Sequence, residues 1–255
     1  SMYIHGKKML ITGKPGERII RAFNNVRFYK TDMSGKCDSL HSSTKNELTQ
    51  LIGKPILWNN ENQMTGDVMH LIGNNETEKL DSLKVLNNAF IIQKDSLSKN
   101  GFNQMKGQNL FGRFEENKLK EVDIIKNAES IYYIYNDKNE FVGIRKSVCS
   151  RINLEMNENK IETMTGYKDT ESNIYPDNEF PENARKLRGF AWRGDERILS
   201  KENIFPEDEL AIDAKVQIDA KKKAIESEKP MEIQKETLEY DEKNPKPKDK
   251  TVKKM

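Results

Sequence analysis

A short phrase returns four times between Val26 and Leu154, and it restricts what this chain can fold into more than any other feature. The clearest copy is Gln63-Met64-Thr65-Gly66. The same skeleton recurs at Asp32-Met33-Ser34-Gly35, Gln104-Met105-Lys106-Gly107 and Glu140-Phe141-Val142-Gly143. Each copy has a polar residue, a large apolar one, any residue and then glycine. The spacing between copies is loose, which suits strands that keep their pairing while hairpin loops vary in length. In this reading the glycines mark hairpin turns.

A second phrase lies between the first ones. It runs Leu48, Leu51, Gly53, Pro55, Ile56, Leu57, Trp58, then Leu83, Val85, Asn88, Ala89, Phe90, Ile91, Ile92, then Val122, Ile124, Asn127, Ala128, Ile131, Tyr133. Gly53, Asn88 and Asn127, with Asn25 as a first instance, are residue types that tolerate positive φ, so they predict sharp corners before each strand restarts. Apolar residues do not recur at three and four, and β-branched, aromatic and Asn residues dominate. The prediction is an all-β sandwich, jelly roll or barrel of short antiparallel strands. Residues 3–25 read as a leading hairpin around Gly13, Pro15 and Gly16.

Alternation places Val26, Phe28, Ile56, Trp58, Phe90, Ile92, Ile131 and Tyr133 on one face, taken as the interior. Arg27, Tyr29, Ile91, Tyr132 and Ile134 fall on the other. The later strands are apolar on both faces and so are expected to be covered twice. Met33, Met64 and Met105 form a regular column two residues before each glycine. They read either as core filling or as a soft lining for a flexible apolar ligand.

Over 255 residues only 35% are apolar and 33% are charged, and the mean hydropathy is −0.86. That is thin material for one thick core, so part of the chain is expected to lie outside it. The expected organisation is a β-domain over 1–205, a short charged helix over 206–228 and a disordered charged tail over 229–255. Within the first part, residues 166–205 turn irregular and carry a basic-aromatic patch of Arg185, Lys186, Arg188, Phe190, Trp192, Arg193 and Arg197, which reads first as one more strand packed on the sheet and alternatively as a surface that stacks bases or sugars. A net charge of +2 argues against a charge-driven nucleic-acid binder. No apolar run reaches the roughly 18 residues that span a bilayer. The leading Ser1-Met2 reads as a cloning scar, consistent with an export signal having been removed.

Cys37 and Cys149 each follow a repeat glycine, so equivalent strands could bring them together. A bridge there would close a loop worth roughly 4 to 5 kcal/mol in the chain-entropy model and would fit an oxidising compartment. Two buried, unpaired thiols are the equal alternative. There is no nucleophile elbow, zinc-protease helix, phosphate-cradling glycine loop or calcium loop. His5, His41 and His70 lie on separate segments and read as surface or packing residues, although His41 and His70 could meet across repeats. Asp38 and Asp67 read as turn residues. No catalytic residue, metal site or cofactor is expected, and the chain reads as a non-enzyme.

The phrases Ala22-Phe23-Asn24-Asn25-Val26, Gly35-Lys36-Cys37-Asp38-Ser39-Leu40, Gly53-Lys54-Pro55 with Trp58, Gly66-Asp67 and Asn127-Ala128-Glu129-Ser130-Ile131-Tyr132-Tyr133 resemble, in that order, the organic-solvent-tolerance (OstA-like) family. Leu187-Arg188-Gly189-Phe190-Ala191-Trp192-Arg193 resembles the end of its longer members. This family contains the periplasmic lipopolysaccharide-transport bridge protein and the matching domain of its outer-membrane partner. The resemblance implies an open, twisted β-jelly roll, which the residues beyond it extend with an irregular and helical C-terminal segment. It implies a periplasmic lipid carrier in outer-membrane biogenesis whose apolar trough holds lipopolysaccharide (lipid A) acyl chains. It also implies partners among other OstA-like domains, with copies joined end to end by strand pairing.

On this reading the trough is lined by Val26, Phe28, Met33, Ile56, Trp58, Met64, Val68, Phe90, Ile92, Met105, Ile131 and Tyr133. Arg27, Arg113 or Arg145 would meet lipid phosphates at the rim. The alternative is a closed β-sandwich with a dry interior that binds a protein or glycan at the cell envelope.

Overall fold

A computed structural model describes residues 2–206 apart from 75, 78, 99, 158, 159 and 169, the backbone alone of 160, and the isolated residues 218 and 221. The helix expected over 206–228 and the tail expected over 229–255 therefore fall, but for 206, 218 and 221, outside the described residues.

The described residues form one antiparallel sheet of 14 strands. They are β1 (Tyr3–His5), β2 (Lys8–Thr12), β3 (Ile19–Lys30), β4 (Met33–Ser43), β5 (Leu48–Ile52), β6 (Ile56–Asn59), β7 (Asn62–Thr65), β8 (Val68–Asn74), β9 (Lys79–Lys94), β10 (Phe102–Glu115), β11 (Lys118–Tyr135), β12 (Phe141–Asn157), β13 (Lys160–Tyr167) and β14 (Glu171–Tyr175). The pairing shows that the sheet is folded across its strands. β3 pairs with β2 through 19–23 and with β1 through 27–29. β4 pairs with β5 at one end and β6 at the other, β9 with β8 and β7, and β12 with β13 and β14. The long strands thus run through two layers. The upper layer has the order β1-β3-β4-β6-β7-β9-β10-β11-β12-β14, and the lower β2-β3-β4-β5-β8-β9-β10-β11-β12-β13. The result is the all-β jelly roll expected, with its two layers made from halves of the same strands.

The fold line is where sequence and backbone agree. Asn24 and Asn25 take φ of 63° and 56°, Gly53 and Lys54 80° and 49°, Asn87 and Asn88 56° and 51°, and Lys126 and Asn127 63° and 52°. All lie in the left-handed region that Asn and Gly enter most cheaply. The corner residues read from the sequence, 25, 53, 88 and 127, are all in place. In β3, β9 and β11, however, the corner bends a continuous strand instead of ending it, and the ladders slip register there. Neighbouring strands brace the line. Asp38 N–H donates to the Gly53 carbonyl at 3.2 Å, and the Asp67 carboxylate accepts from Asn88 Nδ2 at 3.0 Å. The two aspartates therefore brace corners, which refines their assignment as turn residues.

The repeat glycines do something else than expected. Gly35, Gly107 and Gly143 lie inside β4, β10 and β12, and Gly66 sits at the break between β7 and β8. They are not hairpin turns. A Cβ on Gly35 would come within 2.5 Å of the Phe28 ring, one on Gly66 within 2.3 Å of Val85 Cγ1, and one on Gly107 within 2.6 Å of Ile124 Cγ2. At Gly35 the missing side chain makes room for the ring of its cross-strand partner Phe28, and at Gly66 and Gly107 for Val85 and Ile124 of neighbouring strands.

Between the layers lies one buried apolar cluster including Val26, Phe28, Leu57, Met64, Ile91, Met105, Leu110, Val122, Ile124 and Leu154. Cys37 and Cys149 are buried in it as free thiols. The bridge that repeat equivalence suggested is not formed in the structure.

Residues 176–204 form a strap of four short 3-10 turns, Asp177–Glu179, Glu182–Ala184, Gly194–Glu196 and Glu202–Ile204. The strap makes no added strand, which corrects the reading of 190 and 192. Gly189 at φ 93° turns the chain, and sheet side chains bind much of its backbone. Phe180 and Leu187 pack with Phe90, Ile92, Ile131, Tyr133 and Ile144 in a second buried cluster on the outer side of the upper layer, with Phe102, Phe190 and Trp192 against it. Double coverage of the later strands, read from their two apolar faces, is therefore present.

Candidate functional site

Strand alternation fixes which expected lining residues meet. Val26, Phe28, Met33, Met64 and Met105 enter the interlayer cluster. Phe90, Ile92, Ile131 and Tyr133 point the opposite way, beneath the strap. Ile56 and Trp58 flank the inward Leu57 and so face outward, with Lys36 Nζ 5.8 Å from the Trp58 ring. Val68, beside the buried inward Met69, is outward and half-buried on the lower layer. The expected single apolar face is thus two. The error has a physical source: when both faces of a strand are buried, alternation has no phase to read.

Over most of its length the interlayer seam is packed. Phe28, Leu57, Met64, Leu110 and Val122 are fully buried. Near Ile91, Met105, Leu154 and Met156 the remaining space is about 10 Å³. At the strand tips opposite the fold line the seam opens into a pocket of about 350 Å³ lined by Met33, Leu71, Leu80, Thr49, Lys30 and Lys79 among others. This mouth combines an apolar floor with charged side chains of both signs, Lys30 and Lys79 beside Glu47, and Lys79 pairs with Glu116. The layers are tied beside it, where Lys30 Nζ donates to Asn117 Oδ1 at 3.3 Å and the Leu80 N–H donates to the same oxygen at 2.9 Å.

Of the arginines expected at the rim, Arg113 pairs outward with Glu121 at 3.3 Å. Arg27 alternates with inward Phe28 and so faces out. Arg145 Nε donates to Ser172 Oγ at 3.0 Å on the last strands. The three do not converge. Lys30 and Lys79, which sequence reading passed over, are cations that line the mouth.

Among the described residues, both ends of the sheet present strands paired on one side only, β1 and β2 at one end and β13 and β14 at the other. Apolar side chains project from them: Met9, Leu10 and Ile11 on β2, with Ile11 59% exposed, and Ile174, 58% exposed, on β14. A further cleft of about 870 Å³ runs along the outside of the fold line, lined by Asp67, Asn87, Asn88, Lys106, Lys126, Asn127, Glu129 and Arg188 among others. It is polar, and Lys106 and Glu129 pair within it at 3.0 Å.

His41 and His70 both register with Gln50, on the strand between them. The Gln50 amide donates to His70 Nε2 at 3.1 Å. Among the described residues no group of three His, Cys, Asp or Glu is placed to hold a metal, and no helix is long and apolar enough to cross a membrane.

No protein-family profile matches the chain, and no curated protein does. Among solved structures it is similar to "LptH, the LptA homologous periplasmic component of the conserved lipopolysaccharide transport device from Pseudomonas aeruginosa". The two share 12% sequence identity at a TM-score of 0.43, over 58% of this chain and 100% of that one.

Proposed function

We propose that this chain is a non-enzymatic periplasmic carrier that takes lipopolysaccharide acyl chains into the interlayer seam through the mouth at Met33, and docks end to end with like domains by strand pairing at its open edges. The observation that carries this reading is the mouth itself, an apolar-floored pocket of about 350 Å³ leading to a methionine-lined interior. Burying acyl chain contributes about 0.8 kcal/mol per methylene, so a dozen carbons supply on the order of 10 kcal/mol with no directional bond. Val26, Phe28, Met64 and Met105 would line the deeper path, with unbranched methionines yielding to the chain. Lys30 and Lys79 at the mouth suit a phosphorylated head group. Edges with unpaired N–H and C=O groups suit strand addition.

The packed interior favours a second reading, in which the sandwich stays dry and only its edges bind, taking a protein partner. Photoreactive residues separate the two. Placed at Met33 in the living envelope, such a residue should crosslink to lipopolysaccharide, whereas one at Trp58, under the strap, should not. Protein crosslinks from Leu10 together with no lipid at Met33 would establish the second reading instead.

A further inference from the structure

We infer that the seam recognises a neutral acyl carbonyl, the ester or amide at the head of a fatty chain, through the side-chain amide of Asn62; this rests on the carrier reading above. The inner rim of the upper layer is a row of carboxamides in cross-strand register. Asn59 pairs with Asn62, Asn62 with Gln93, and Gln93 with Asn103, across β6, β7, β9 and β10. The next row inward is apolar: Leu57, Met64, Ile91 and Met105. The seam is therefore amphipathic along one line.

Two members of the row are occupied by the fold. Asn59 Nδ2 donates to the Asp32 carbonyl at 2.9 Å, and Asn103 Oδ1 accepts from the Tyr133 N–H at 2.9 Å. Asn62 differs. It is 2% exposed, and its Nδ2 has no hydrogen-bond partner among the described residues. It lines the cavity of about 10 Å³ together with Gln93, Asn103, Ile91, Met105, Leu154, Met156 and Ile161. A buried donor left unpaired is costly and rare, and the space beside it is about that of one water or one ligand atom.

The surroundings choose the acceptor. Among the described residues no charged side chain lines the cavity, so an ionised carboxylate there would meet no counter-charge from them. A bare hydrocarbon would leave the amide unpaired. A carbonyl oxygen with hydrocarbon on one side meets both conditions. Met33 registers with Asn59, which registers with Asn62. The donor therefore lies two strands, roughly 10 Å, from the wall of the mouth.

The test uses the full chain stripped of lipid and two probes that differ only in the carbonyl, glyceryl monododecanoate and its dodecyl ether. By calorimetry the ester should bind roughly five- to tenfold tighter than the ether, the effect of one added hydrogen bond to a buried amide. Asn62→Leu should bring the ester down to the ether's affinity and leave the ether unchanged. In the unaltered protein, the Asn62 side-chain amide resonances should move with the ester and not with the ether, a readout independent of how well the variant folds. Equal affinity for both probes would overturn the carbonyl site and leave the carrier standing. Binding of neither would remove both.

Discussion

Gln63 and Gln104 occupy the same position of the repeated phrase and perform the same task on two parts of the strap. Gln63 Nε2 donates to the Ala191 carbonyl at 2.7 Å, and its Oε1 accepts from the Arg193 N–H at 2.7 Å. Gln104 Nε2 donates to the Arg185 carbonyl at 2.8 Å, and its Oε1 accepts from the Leu187 N–H at 2.9 Å. Each carboxamide spans the C=O of one strap residue and the N–H two residues later, as one residue of a parallel ladder would. Two side chains thus supply part of the pairing that a neighbouring strand would give, and the strap covers the upper layer without joining the sheet.

Replacing either glutamine by leucine keeps the volume and removes the pairing. The strap carbonyl and N–H are then left without partners, at a cost of about 1–3 kcal/mol. Gln63→Leu should speed amide hydrogen exchange at Arg193, and Gln104→Leu at Leu187, by one to two orders of magnitude. Amides of β9 and β11 between the layers should keep their protection. Uniform loss of protection throughout the sheet would show that strap and sandwich form one cooperative unit.

The strap also carries an acid-sensitive clasp. Glu196 binds Arg193 at 2.6 and 2.7 Å and Lys36 at 3.0 Å. The Arg193 guanidinium first, and Lys36 after it, hold the Glu196 carboxyl down at about 2. Because the folded value lies below the ordinary one near 4.5, the clasp is fully present above pH 4.5 and weakens as pH falls toward 2. Trp192 fluorescence in a Trp58→Phe background should report strap loosening across that window. Glu196→Gln should flatten the transition.

These clasps show where sequence reading runs out. The corners at Asn25, Gly53, Asn88 and Asn127 were legible because positive φ restricts residue type at a single position. The pairing of Gln63 with Arg193 spans 130 residues, and no local rule announces it. The recurrence of glutamine at 63 and 104, ahead of a buried methionine each time, was the available signal. The interior was misassigned at Phe90 and Ile131 because their neighbours Ile91 and Tyr132 are also apolar, so the strap that buries the outer face erased the contrast that alternation needs. Asn62 was missed because an asparagine beside Asn59 and Asn60 reads as turn chemistry.

Burial raises the Cys37 thiol to about 12 and pushes Cys149 up as well, so neither is a thiolate at neutral pH. In the folded protein both should resist a soluble disulfide reagent at pH 8, and both should react once denaturant is added. A reductant should leave the melting temperature unchanged. A reductant-dependent fall in that temperature would mean the two cysteines are bonded in solution.

Close approach and backbone conformation make opposite demands on glycine. At Gly35 a methyl group would meet the Phe28 ring at 2.5 Å and the Ile56 carbonyl at 2.6 Å. Gly35→Ala should therefore destabilise by about 1–3 kcal/mol through overpacking. At Asn88, with φ 51°, glycine adopts the same conformation without strain and loses only the exposed hydrogen bond to Asp67, so Asn88→Gly should cost under about 1 kcal/mol, whereas Asn88→Val should cost about 1–2 kcal/mol more. Denaturant melts of the three variants give the comparison, and equal losses for Gly and Val at 88 would refute the corner's role.

The free edges lead to the last expectation. β2 presents Met9, Leu10 and Ile11 to solvent beside unpaired backbone, and β14 presents Ile174. An exposed apolar edge, left uncovered among the described residues, is what strand-adding proteins display and what solitary ones suppress. If β2 of one copy pairs with β13 or β14 of the next, association has a head-to-tail sense and continues into chains instead of stopping at a dimer. Sedimentation velocity should show a ladder of oligomers growing with concentration. Ile11→Lys and Ile174→Lys should each shift the distribution toward monomer, and mixing the two variants should recover only dimers, because one intact β2 edge then meets one intact β14 edge and the remaining ends are blocked. Unchanged sedimentation in both variants would locate the contact away from the edges.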